Sequence, residues 1–204
     1  MLGDTDLGAV LPGLPVVPVT GMLYRGIDWA YHATVNSVIG SLKAHGRYHH
    51  SDDALGTIYI AETHSGAADE LRQGRQTLFP TLQGQAGGAT TVIAPFPVSF
   101  TGLLDLRDHA VQAALGTSLM ELTGLWRVQQ GRLQQGRIQP SPRTETQRLA
   151  RAAHAAGLEG LIYTSAVGAY GNNVVVFSSN LTTQMQATLP LDFLQQSVQY
   201  VGQI

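Results

Sequence analysis

Gly56-Thr57-Ile58-Tyr59-Ile60-Ala61-Glu62-Thr63-His64-Ser65-Gly66-Ala67-Ala68-Asp69-Glu70 carries the change of secondary structure on which the fold turns. Thr57 to Ala61 are β-branched, aromatic or small and follow Gly56, which predicts a short strand, since such side chains pack well on a pleated surface. Thr63 or Ser65 then offers a hydroxyl to the unpaired amides of a first helical turn, which predicts a helix through about Gln73. A strand running straight into a helix indicates a mixed α/β chain.

Outward from this stretch the pattern continues. Gln83 to Gly88 reads as a glycine-containing turn, and Thr91 to Phe96 and Ser99 to Leu106 are strand-like on either side of Pro97, so a hairpin or a bent strand is expected. Asp108 stands where a helix N-cap belongs, Gly116 ends that helix, and a second helical stretch runs from about Leu119 to Arg127. Ser141 to Gly157 is the clearest helix: Thr144 and Gln147 fit a capping box, and Leu149, Ala152, Ala153 and Ala156 line one face. Gly160 to Thr164 and Val174 to Phe177 read as buried strands, separated by the polar run from Ser165 to Asn173.

Upstream, residues 9–19 carry three prolines, so residues 1–21 are expected to form an extended leader, with the domain proper over 22–180. Residues 181–204 form a C-terminal extension with a short amphipathic helix, in which Leu191, Leu194, Val198 and Val201 keep helical spacing. That stripe reads either as a terminal helix docked on its own core or as a surface for self-association, which would make a homo-oligomer.

A length of 204 residues suits one domain. Charged residues make up only 13%, the net charge is -2, and Lys43 is the single lysine, so no general electrostatic attraction draws this chain to nucleic acid. No apolar run approaches the roughly 18 residues of a membrane span, and the N-terminus lacks the basic start of a secretory signal, which gives a cytoplasmic reading. Zero cysteines exclude thiol catalysis and cysteine-ligated zinc. His45, His49 and His50 lie in a glycine- and aspartate-rich segment with no carboxylate fixed by spacing, so they read as loop histidines near a substrate and no metal is assigned.

Four stretches stand out in order: Leu23-Tyr24-Arg25-Gly26, Gly46-Arg47-Tyr48, Gly56 to Tyr59 continuing to Glu70, and Gly160-Leu161-Ile162-Tyr163-Thr164-Ser165-Ala166. Together they resemble the RES domain, whose pattern places an arginine after the first strand and a Gly-Arg-aromatic turn. A strand tyrosine follows, then a glutamate eleven positions later in a helix, and a serine near the last strands. The resemblance spans about Leu23 to Phe177. It implies a single mixed domain like the ADP-ribosyltransferase fold. It also implies the toxin of a toxin–antitoxin pair that cleaves the nicotinamide–ribose bond of NAD, by phosphorolysis to nicotinamide and ADP-ribose 1″-phosphate as the first choice. Transfer of ADP-ribose to a protein and simple hydrolysis are the enzymatic alternatives, and a catalytically silent binding protein is the alternative from another class. The expected partner is an Xre-type helix-turn-helix antitoxin. NAD is substrate, with inorganic phosphate as co-substrate, and no separate cofactor is implied.

The residue types suit that chemistry. Loss of nicotinamide builds positive charge on the sugar, which a carboxylate stabilises, and Glu70 is assigned to this task. Arg25 and Arg47 suit a pyrophosphate or an attacking phosphate, because a guanidinium offers paired donors and keeps its charge. Tyr59 offers either a ring to stack on nicotinamide or a hydroxyl for the ribose, Ser165 a hydroxyl in a polar turn, and Asn173 a further substrate contact. Without the family pattern each has a plainer reading: an ion pair for the arginines, an exposed helix position for Glu70, a core aromatic for Tyr59, a turn residue for Ser165. His49 replaces the asparagine common after the Gly-Arg-aromatic turn, and Val167 stands where relatives often carry an arginine that can contact phosphate.

Overall fold

The computed structural model describes residues 1–29, 31, 35–78, 91–126, 128–129, 142–167 and 171–181, with the backbone alone over 73–78. Its strands are β1 (Val16–Asp28), β2 (Thr57–Ala61), β3 (Thr91–Asp105), β4 (Gly160–Thr164) and β5 (Asn172–Phe177). Its helices are α1 (Asp4–Val10), α2 (Ile39–Lys43), α3 (His64–Leu78), α4 (His109–Ala114), α5 (Leu119–Thr123) and α6 (Glu145–Ala155). The strands close on themselves in the order β1-β2-β5-β4-β3, antiparallel except for the pair β3 and β4. The expected mixed α/β domain is therefore present, and the parallel pair requires the long crossover that holds α4, α5 and α6.

Period-two alternation divides the side chains between two cores. Leu23, Ile58, Ile60, Phe96, Phe100, Ile162, Val174 and Val176 come from all five strands and fill the interior of the closed sheet. On the outer face Tyr59, Leu161, Tyr163, Val175 and Phe177 pack with Tyr48 and with Leu7, Val111, Leu122, Leu149 and Ala153 from the helices. That second layer carries the site.

One expectation changes. Residues 1–21 are not an extended leader: they form α1, a turn of 3-10 helix at Leu11–Gly13 and the start of β1. The reason is burial, since Leu7 and Leu11 are fully enclosed, and Asp4 of α1 pairs with both Arg148 and Arg151 of α6. Pro18 sits at a register shift between Val17 and Val19, where its missing N–H breaks no ladder bond. Of the hairpin and the bent strand left open around Pro97, the structure has a single strand, with Pro95 and Pro97 opposite Tyr24 and Met22.

The caps follow the sequence reading. Thr63 Oγ1 accepts from Gly66 N at 3.0 Å, Asp108 accepts from Ala110 N, and Thr144 and Gln147 close a full capping box. The last helix starts at Glu145, because Thr144 takes the cap. Arg143, Arg148 and Arg151 are ion-paired with Asp53, Asp4 and Glu145, which accounts for this part of the basic stretch structurally. The Gln83 to Gly88 turn, Arg127, Arg132, Arg137, and the C-terminal helix with its proposed self-association surface lie outside the described residues. No helix among the described residues is long and apolar enough to cross a membrane.

Candidate active site

β1 and β2 pair through Tyr24 opposite Ala61, and α3 leaves β2 to lie over this junction. Gly26 permits the approach: a Cβ there would stand 2.6 Å from the Ala67 carbonyl oxygen of α3. Between the outer face of the sheet and α3 lies a cavity of about 220 Å³, lined by Tyr24, Gly26, Tyr59, Glu70, Tyr163 and Asn173 among others.

Glu70 reaches the carboxyl side of this space from α3, and two side chains from the far strands meet it. Ser165 Oγ donates to Glu70 Oε1 at 2.7 Å, and Asn173 Nδ2 donates to the same oxygen at 2.5 Å. Residues 95 and 103 positions apart in sequence thus fix one carboxylate. Charge-assisted bonds of this kind are roughly twice as strong as neutral ones. Ser165 is held in turn by its own loop, since its Oγ accepts from Val167 N at 3.1 Å. Asn173 is 3% exposed, and its Oδ1 is buried with no partner among the described residues.

Tyr59 brings its ring to the cavity and turns its hydroxyl away from it, into the turn that carries Gly46, Arg47 and Tyr48. The Tyr48 amide donates to Tyr59 Oη at 2.9 Å, and His49 Nδ1 lies 2.9 Å from the same oxygen. α6 anchors this turn: Gln147 Nε2 donates to the carbonyls of Gly46 and His49, and Thr146 Oγ1 to that of Arg47. The capping box of α6 therefore also fixes the floor of the site.

The two arginines are placed differently. Arg47 Nη1 donates to the carbonyls of Leu122 and Gly124 at 2.8 and 2.9 Å, and its charge acts on Tyr48, Tyr59 and Tyr163. Both partners are neutral, so the bonds hold the guanidinium without neutralising it. Arg25 falls between Tyr24 and Gly26, on the opposite face of β1, with Leu23 and Ile27. Its guanidinium donates to the carbonyls of Val35 and Ser37. The structure thus brings Glu70, Tyr59, Ser165 and Asn173 together, sets Arg47 behind the tyrosines, and leaves Arg25 off the cavity face.

A family model for the RES domain matches residues 22–194. The chain belongs to the RES-domain family. Among solved structures, a chain of the crystal structure of the M. tuberculosis MbcT–MbcA toxin–antitoxin complex superposes with a TM-score of 0.61 at 17% identity, covering 88% of this chain and 85% of that one. At this identity the likeness concerns the fold. No curated protein sequence matches. The end of the RES match, Leu194, lies outside the described residues.

Within this RES domain, Tyr24, Gly26 and Tyr163 line the cavity without having been picked as site residues. The signal was available for the first two, since period-two spacing puts Tyr24 and Gly26 on the face that Arg25 avoids. Tyr163 packs at a tilt against the buried Tyr48 with ring centroids 4.6 Å apart, a contact no local pattern encodes.

His49 is 6% exposed, and burial pushes its imidazole down to about 4. Burial also lowers His50, in the same direction. The folded protein binds these protons more weakly than the unfolded chain, so stability is full above the ordinary histidine value of about 6.5 and falls as pH drops toward 4. For His49 alone the loss is about 1.4 kcal/mol per pH unit, or about 2 kcal/mol by pH 5. Urea midpoints at pH 7.5 and pH 5 measure it, and a His49→Asn protein is expected to lose most of the difference. Equal sensitivity in that variant would count against the assignment.

Proposed function

We propose that this RES domain cleaves the bond between ribose and nicotinamide in NAD, with inorganic phosphate as acceptor, and acts as the toxin of a toxin–antitoxin pair. The observation that carries the reading is the Glu70 carboxylate on the cavity wall, with both recorded bonds converging on Oε1. Ser165 and Asn173 hold its orientation and leave Oε2 for a ribose hydroxyl. As the bond from the anomeric carbon to the nicotinamide nitrogen breaks, its electron pair leaves with neutral nicotinamide, and the sugar becomes cationic. A fixed carboxylate beside that charge needs no reorganisation during the reaction. A phosphate oxygen then bonds to the anomeric carbon, giving ADP-ribose 1″-phosphate with no change of oxidation state.

Tyr59 supplies a flat wall for the nicotinamide ring, and Asn173 acts through its bond to Glu70. Arg47 is assigned the anion because it stands behind the cavity tyrosines Tyr59 and Tyr163, on which its charge acts, in the turn where the family pattern places an arginine. Arg25 is omitted from this assignment, since it leaves β1 on the face opposite Tyr24 and Gly26, which line the cavity. Val167 in place of an arginine removes one phosphate contact of the family, which keeps hydrolysis as the second reading. The solved relative is described as a toxin–antitoxin complex, which supports an antitoxin as partner, and the family resemblance makes it an Xre-type protein that covers the cleft.

Purified protein incubated with labelled NAD, with and without phosphate, separates the acceptors. NAD loss that depends on phosphate is expected, with the label recovered as a sugar phosphate. Loss at the same rate without phosphate would move the reading to hydrolysis, and label on a protein band would move it to transfer. Ser165→Ala removes one of the two bonds to Glu70, and about a 10-fold fall in kcat is expected, the size of one charge-assisted hydrogen bond. An unchanged kcat would show that Asn173 alone positions the carboxylate.

A further inference from the structure

We infer that His49 is a positioning residue, which accepts the Tyr59 hydroxyl proton at Nδ1 and so makes Tyr59 act on substrate through its ring face and not through its hydroxyl. The inference rests on the NAD-cleaving reading of the cavity and settles the role of Tyr59 that the residue type leaves open. Three observations carry it. The Tyr59 oxygen already accepts from the Tyr48 amide at 2.9 Å, so its own proton needs an acceptor, and His49 Nδ1 at 2.9 Å is placed to take it. The packing is built around this contact: at Gly46 a Cβ would stand 2.1 Å from His49 Cε1 and 2.9 Å from Tyr59 Oη, so the glycine leaves room for both groups at once. Thr57 Oγ1, 3.2 Å from Nδ1, and the tilted contact of the His49 and Tyr59 rings, with centroids 5.6 Å apart, fix the imidazole from the strand side.

An imidazole that accepts at Nδ1 carries its proton on Nε2, which is buried with no hydrogen-bond partner among the described residues, and burial keeps the ring neutral at ordinary pH. A hydroxyl held on both sides is unavailable to a ribose. The phenol ring is then locked against the cavity, and an asparagine at 49 preserves the function through its amide oxygen.

The test uses five proteins: wild type, His49→Ala, His49→Asn, Tyr59→Phe, and the double variant of His49→Ala and Tyr59→Phe that closes a cycle. KM for NAD is expected to rise about 10-fold in His49→Ala and in Tyr59→Phe, with little change in kcat, the size of one lost hydrogen bond. The double variant is expected to match either single one, and His49→Asn to stay near wild type. Effects that multiply in the double variant, or a His49→Ala protein changed only in melting temperature, would overturn the proposal. Nitrogen NMR of the His49 ring supplies a readout independent of NAD: the Nε2–H tautomer is expected in wild type, with a shift of the Nδ1 resonance in Tyr59→Phe. An Nδ1–H tautomer would also overturn it. If wild type leaves NAD intact while the tautomer is as expected, the reaction assigned to the cavity fails and the bond between His49 and Tyr59 stands.

Discussion

Glu70→Gln is expected to slow nicotinamide release from NAD by about 10²–10³-fold while leaving the fold intact. The variant keeps the shape of the side chain and can still meet Ser165 Oγ and Asn173 Nδ2 through its amide oxygen, so the cavity wall is preserved. What it removes is the negative charge beside the sugar carbon at the moment that carbon becomes cationic. A preorganised group aimed at developing charge contributes about 3–4 kcal/mol, which corresponds to the stated loss. The loss belongs in kcat, since the ground-state sugar is neutral and gains little from the carboxylate. Single-turnover rates and a thermal melt on the same sample measure both halves of the expectation. A variant that melts normally and keeps its rate within a few-fold would take Glu70 out of the chemistry.

Gly160→Ala is expected to be the most damaging conservative change in the sheet. A Cβ at this position would lie 2.2 Å from the Val175 carbonyl oxygen and 3.1 Å from the Val176 Cα. Both obstacles are backbone, so relief requires β4 and β5 to move apart, and Gly160 stands between Leu103 of β3 and Val176 of β5 in the ladder. Overpacking of a rigid site costs about 3 kcal/mol at the upper end of its usual range, or about 6–12 °C in Tm for a domain of this size. The same shift displaces Asn173 and the loop with Ser165, so activity is expected to fall with stability. A calorimetric Tm within a degree or two of wild type would mean that the strands yield more easily than the closed sheet implies.

The strands were legible where the local pattern and the burial agree. Thr57 to Ala61 alternates between two cores, so its composition alone marks it as buried strand, and its bounds match β2. Thr144 and Gln147 marked the last helix because a capping box is a local bond pair. The N-terminus was misread for the opposite reason: the three prolines speak for extended chain, whereas Leu7 and Leu11 are decided by contacts with residues more than a hundred positions away. Pro97 suggested an interruption, yet β3 continues through it because β1 pairs along its whole length. Of the site, Glu70, Ser165 and Tyr59 followed from the family pattern and not from spacing, since the bonds to Glu70 cross about half the chain, while Asn173 was picked only as a polar residue between the last two strands. Arg25 shows the limit of that route, because a motif names a residue without saying which face of the strand it leaves.

The most direct test of the central claim is proton NMR of NAD mixed with the purified protein in phosphate buffer, followed over time beside Glu70→Gln. The account predicts that free nicotinamide appears with wild type as the NAD signals fall, and that its appearance slows by about 10²–10³-fold in the variant. NAD that stays intact with a folded wild-type protein, or that is consumed equally fast by both, would contradict it.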